Sequence, residues 1–249
     1  MQTSQTIPDI SPTAVSSASR DSIVDPYVGS RSLRWLELLL VLTVAFAQPL
    51  YSAIILLIRG PNPSPSVSGL GYMFGTVRAL TALLLLWYVL KRSGRRFADI
   101  GFGWSLQEVA IGILVAVAGA AFVFCGTGLI YGIEYAMYHT YMVGPTARNF
   151  FPKPSWPSLP FHIVNPFFEE LIVRAYLMTE IRALTGSIAL AVLVSVAVQT
   201  SYHLYYGWLG AASIAFIFLA YSLYYARWRR ALPTVVAHGL VNLQALLRY

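Results

Sequence analysis

The chain consists of apolar runs of about 20 residues joined by short polar connectors, and a run of that length is what one helix needs to cross a bilayer. Within lipid the backbone must satisfy its own hydrogen bonds, so each such run is expected to be a helix. Only 11% of the 249 residues are charged and 57% are hydrophobic, whereas a soluble domain carries about 25% charged residues. The expected fold is all-α, a polytopic membrane helical bundle of about seven or eight transmembrane helices. The protein is expected to be integral to a membrane and multi-pass, in a bacterial cell membrane or its equivalent.

The expected spans cover about 34–58, 70–90, 106–133, 161–184, 187–206, 208–225 and 231–249. Residues 1–33 are rich in Ser, Thr, Pro and Asp and lack the apolar stretch of a signal peptide, so they read as a flexible tail ahead of a membrane domain at 34–249. Pro49 is expected to kink the first span. The prolines at 61, 63 and 65 mark a loop, and the Tyr-, His- and Pro-containing piece at 133–159 reads as a loop or interfacial segment. Arg78, inside the second span, is expected to snorkel. The single cysteine, Cys125, can form no internal disulfide and is expected to pack as a small hydrophobe.

The net charge of +7 is gathered in two short connectors, Lys91, Arg92, Arg95 and Arg96 in one and Arg227, Arg229 and Arg230 in the other. That is an orientation signal rather than a nucleic-acid face, and it puts both connectors on the cytoplasmic side. No nucleic acid is expected as a partner. Alternating spans then set Glu169 and His203 in the non-cytoplasmic half.

The fourth span carries the residues hardest to explain as packing. Phe167-Phe168-Glu169-Glu170-Leu171-Ile172-Val173-Arg174-Ala175-Tyr176 holds three charged groups in an apolar run, and each ionised group near a helix centre costs roughly 2.5–3.5 kcal/mol. Glu170 and Arg174, four apart, share a face and can pair. Glu169 points about 100° away, and Tyr176, seven residues on, returns beneath it. One carboxylate is held, and its neighbour is left without a full partner, which suits a general base. A structural ion cluster joining helices is the plainer account of one such pair.

His203 sits among Tyr202, Tyr205 and Tyr206 near a span end, as an aromatic belt would. His238 and Asn242 lie mid-span and four apart, so they share a helical face and need partners. Apart from Arg78, the ionisable groups well inside spans are Glu169, Glu170, Arg174, His203 and His238, spread over three spans at similar depth. Buried ionisable residues of this kind mark function. A carboxylate, two imidazoles and an amide suit hydrolysis: Glu169 with His203 would take a proton from water, and His238 with Asn242 would hold the oxyanion.

Glu169-Glu170-x-x-x-Arg174, a later lone His203 and then His238-x-x-x-Asn242 resemble the CPBP family, the CAAX-protease and bacteriocin-processing intramembrane endopeptidases related to the Ras-converting CAAX endopeptidase. The resemblance covers about residues 161–246, and Asp99-Ile100-Gly101-Phe102 is similar to the family's usual run-in. It implies an all-helical membrane fold and endoproteolysis, typically of a C-terminal tripeptide after a prenylated cysteine. By position it implies Glu169 as base with His203, Glu170 and Arg174 as braces, and His238 with Asn242 as the oxyanion site. The family's Phe-x-x-x-His motif departs here to Gln199, one turn before His203, where it can bond to the imidazole or to substrate. The departure bears on substrate preference more than on catalysis.

A metal-free glutamate mechanism is the expectation, because neither histidine has a carboxylate near in sequence to brace it as a ligand. If a metal were used, it would be zinc on Glu169, His203 and His238. The partners implied are a peptide or membrane-protein substrate, of the prenylated class or otherwise, and the lipid bilayer. Two rivals stay open at this point: a proton-coupled transporter, since buried Glu, His and Arg also build proton relays, and a catalytically silent immunity or scaffold protein of the same fold.

Overall fold

The computed structural model describes residues 30–59, 69–139 and 156–247. Residues 1–29 of the expected tail, the 60–65 loop and residues 140–155 of the expected connector lie outside the described residues. In chain order the elements are α1 (Arg31–Arg59), α2 (Gly69–Arg92), a short 3₁₀ turn (Phe97–Ile100), α3 (Leu106–Tyr138), α4 (Leu159–Glu169), a π-helical segment (Glu170–Leu177), α5 (Met178–Thr185), α6 (Ile188–Ser201), α7 (Gly207–Trp228) and α8 (Leu232–Leu247). No strand occurs among the described residues.

Four helices are long and apolar enough to cross a membrane: Arg31–Ile58, Gly69–Arg92, Leu106–Tyr138 and Leu204–Trp228. α6 and α8 are apolar but shorter, and the run around Glu169 is divided into three pieces, so a count of seven or eight spans does not follow from helix length. Large apolar side chains such as Leu39, Leu84, Leu114, Phe124 and Leu193 face outward, which suits a lipid surround and not water. The protein is an integral membrane protein.

Several boundaries depart from the sequence reading. α1 already begins at Arg31, so residues 31–33 are helix rather than tail. α3 continues through Ile133 to Tyr138, because nothing in Glu134–Tyr138 breaks a helix. That extension brings in Glu134, a buried carboxylate absent from the sequence census. α6 stops at Ser201, so His203 follows the helix end instead of lying inside it. Cys125, expected to pack as a small hydrophobe, is exposed on α3.

The centre of the bundle is the π-helical segment, all eight residues of which are buried. π turns are rare, occur mostly as single turns inside α-helices, and are frequent at functional sites. Neighbouring side chains tie this one down. Ser195 Oγ donates to the Val173 carbonyl at 3.2 Å, and the Tyr225 hydroxyl sits 3.1 Å from the Ala175 carbonyl and 2.8 Å from that of Ile100. α3 closes the bundle on the other side. Gly112, Gly119 and Gly126, seven apart, lie under Val236, Tyr221 and Phe216, where a Cβ would fall within 3.0 Å of a neighbouring side chain. Small residues of this kind let membrane helices approach closely.

One end of the bundle is knitted by charge. Glu180, on α5, accepts from Arg34 Nε (3.0 Å) at the start of α1 and from Arg95 Nη1 (2.6 Å) after α2, all three being buried. Arg92 pairs with Glu37, and Arg31 Nη2 donates to the Leu184 carbonyl at 2.5 Å. Gly101, at φ +82, has its carbonyl bonded by Ala231 N–H, and a Cβ on it would strike the Arg229 carbonyl; only glycine fits there. Replacing Glu180 by Gln leaves two buried guanidinium groups without the carboxylate between them. It is expected to lower stability by about 3–5 kcal/mol, read as a drop in the unfolding midpoint of the purified protein. An unmoved midpoint would refute that account of the cluster.

Candidate active site

Two prolines prepare the other half of the bundle. Pro49, inside α1, has no N–H and clashes with the carbonyl one turn back, so the Ala45 carbonyl is left free. Arg78 Nη1, from α2, takes it at 2.5 Å. Pro166, inside α4, does the same to the His162 carbonyl, and Asn242 Nδ2 approaches that oxygen from α8 at 3.5 Å. Each freed acceptor meets a polar side chain from a neighbouring helix. Arg78 therefore does not snorkel; it turns inward, with its guanidinium carbon 5.5 Å from the centre of the Phe168 ring.

Glu169 closes α4 and is held from three sides. Its Oε2 accepts from Gln199 Nε2 (2.7 Å) and from the Tyr202 hydroxyl (2.8 Å), and its Oε1 from Asn165 Nδ2 (3.1 Å). The expectation that this carboxylate lacks a full partner is thus corrected: three neutral donors serve it and no cation pairs with it among the described residues. A carboxylate has about four acceptor positions, so one remains for a substrate or a water. Gln199 meets the Glu169 carboxylate, and not the imidazole, through its side chain, while its backbone carbonyl accepts from His203 Nδ1 at 2.7 Å.

Glu170 opens the π segment and is fully buried. Its Oε1 lies 2.9 Å from His238 Nδ1, and its Oε2 lies 3.3 Å from Arg174 Nε. The Glu170–Arg174 pair expected from i,i+4 spacing is present. The Arg174 guanidinium also lies over the rings of Phe218 and Tyr221, at 5.4 and 5.9 Å. Both histidines thereby use Nδ1 for anchorage, which leaves each Nε2 for other work.

Glu169, His203, His238 and Asn242 all line a single cavity of about 250 Å³, together with Arg78, Asn165 and Tyr202. Its walls are apolar and largely aromatic, with Phe46, Tyr72, Phe161 and Phe218 among them. Glu170, Arg174 and Gln199 stand behind the lining: Glu170 meets His238, Gln199 meets Glu169, and Arg174 lies over Phe218 and Tyr221, all of which line it. Tyr176 is buried in the core and does not line the cavity; the wider π turn intervenes between it and Glu169. Sequence reasoning missed Asn165 and Tyr202. Asn165 sits four residues before Glu169 and was available from helix spacing; Tyr202 was read as part of an aromatic belt.

Among the described residues no three His, Cys, Asp or Glu side chains converge on a point that could hold a metal, and the Glu169 oxygens already accept three hydrogen bonds from neutral donors.

Residues 151–244 match the family of type II CAAX prenyl endopeptidases, Rce1-like. The match covers 94 of the 249 residues, and over that stretch the chain is similar to the family. The matched segment runs from before α4 through Asn242 and so contains every residue in the expected constellation. The cavity walls supplied by α1 and α2, Arg78 among them, come from outside the matched segment. No curated protein and no solved structure matches the chain.

Proposed function

We propose that the protein is a multi-pass intramembrane endopeptidase of the CAAX prenyl protease type that hydrolyses a peptide bond with an activated water and no metal. One observation carries this reading: side chains from α4, α8 and the turn after α6 meet at one apolar-walled cavity around a carboxylate fixed by three donors. Fixed polar groups in such a site need no reorganisation when charge develops.

Glu169 removes a proton from water as the oxygen attacks the scissile carbonyl. His203, with Nδ1 donating to the Gln199 carbonyl, offers the lone pair of Nε2 to the same water. The oxyanion that forms is met by Asn242 Nδ2 and His238 Nε2. With Nδ1 directed at Glu170, His238 donates from Nε2 only as an imidazolium, and the Glu170 carboxylate is the counter-charge for that form. The proton held at Glu169 then passes to the leaving amine as the C–N bond breaks.

Substrates of this reading are peptides or membrane-protein segments, the prenylated class included. The cavity lies toward Pro49, Tyr72 and Leu246, at the end opposite the Glu180 cluster and its basic neighbours. By the positive-inside rule it opens away from the cytoplasm. The test is cleavage of a farnesylated peptide by the purified protein. His238→Ala and Asn242→Ala are each expected to lower kcat by about 10²–10³-fold with a smaller change in KM. Full activity in both variants would overturn the oxyanion assignment. Proton flux in vesicles without any cleavage would favour a transporter.

A further inference from the structure

Arg78 is the one guanidinium among the cavity-lining residues, and the mechanism above leaves it without a task. It lies ten residues into α2, a helix of spanning length, where an arginine is expensive unless it faces a cavity or a partner. A guanidinium has five N–H donors. The hydrogen bond it makes is the one to the Ala45 carbonyl that Pro49 frees, and no carboxylate lies within ion-pair distance of it among the described residues. Glu169 is close enough to interact with it through space yet is already served by Asn165, Gln199 and Tyr202. The group is thus immobilised by the Ala45 bond and by the Phe168 ring, with donors to spare beside the catalytic carboxylate.

An arginine fixed in this way, in a low-dielectric cavity, is a receptor for a carboxylate. Resting on the peptidase reading, we infer that Arg78 binds the C-terminal carboxylate of the peptide to be cut and so directs cleavage to a bond close to the chain end. A peptide whose only obligatory anion is its C-terminus brings one carboxylate into the cavity, and acidic side chains are rare in segments that enter lipid. Arg78 and Glu169 line one cavity of about 250 Å³, so a carboxylate held at Arg78 brings a bond near the chain end, not one far along the chain, to Glu169. The amide of the same peptide offers Arg78 no charge.

The experiment compares three farnesylated peptides of one sequence in nanodiscs: the free acid, the C-terminal amide, and the amide with an aspartate as its last residue. The wild-type protein is expected to favour the free acid over the amide by about tenfold or more in kcat/KM, the scale of a charge-assisted hydrogen bond. In Arg78→Gln the acid-to-amide ratio is expected to fall to near one, and Arg78→Lys is expected to keep part of it. Equilibrium binding of the acid and amide peptides to the Glu169→Gln protein reads recognition without cleavage, so it stands even if the peptidase reading fails. Equal affinity for the two, an unchanged ratio in Arg78→Gln, or a preference for the aspartyl amide over the free acid would each overturn the assignment.

Discussion

Glu169→Gln is expected to lower peptide cleavage by about 10²–10⁴-fold, the usual contribution of a positioned general base. The replacement keeps the shape of the side chain and removes the charge that accepts the water proton. It also puts an NH₂ group where an oxygen now accepts from Asn165, or from Gln199 and Tyr202. Those donors can reorient in place, and no buried cation is left without its counter-charge, so the fold is expected to persist. The check is kcat/KM on the farnesylated peptide beside the elution profile and unfolding midpoint of the same preparation. Near wild-type cleavage from a well-folded Glu169→Gln protein would remove this carboxylate from the mechanism. Loss of cleavage with a collapsed midpoint would instead make it a structural hub.

A loss of stability as large as that of Glu180→Gln is expected from Arg174→Met. Arg174 and Glu170 have no exposed surface, and the guanidinium makes an ion pair with Glu170 and cation–π contacts with Phe218 and Tyr221 in place of ordinary hydrogen bonds. Removing one partner of a buried pair costs about 3–5 kcal/mol because the other charge stays behind. The double variant Glu170→Gln, Arg174→Met removes both charges of the pair and is expected to be more stable than Arg174→Met alone; with the Glu170→Gln single variant it closes a cycle that gives the coupling energy. Thermal unfolding of the three proteins and the wild type makes the comparison. Equal losses in the single and double variants would mean that Arg174 acts through its packing on Phe218 and Tyr221 and not through its charge.

The members of the constellation were readable in the sequence because lipid makes ionised and amide side chains conspicuous. Glu169, Glu170, Arg174, His238 and Asn242 stand out from an apolar background by type alone. What joins them was not readable. Tyr202 looks like any interfacial tyrosine until α6 ends at Ser201 and turns its hydroxyl toward Glu169. Arg78 looked like a snorkelling residue because the carbonyl it binds becomes available only through Pro49 on another helix. The π turn was also invisible: Glu170–Leu177 is buried all round, so no polar face marks its period. Glu134 was lost to a helix end set at Ile133, five residues before α3 stops at Tyr138.

The lengths of α6 and α8, 14 and 16 residues, carry a further consequence. At 1.5 Å per residue they rise only ~21–24 Å, against a hydrocarbon slab of ~30 Å. A stretch too short for its membrane is met by local thinning of the lipid around it. Here the two short helices deliver His203, His238 and Asn242, so the thinnest part of the surrounding membrane lies beside the chemistry. On the peptidase reading, solvent has least hydrocarbon to cross where hydrolysis would consume it, and the thickness of the host bilayer becomes a quantity that sets the supply of water to the cavity.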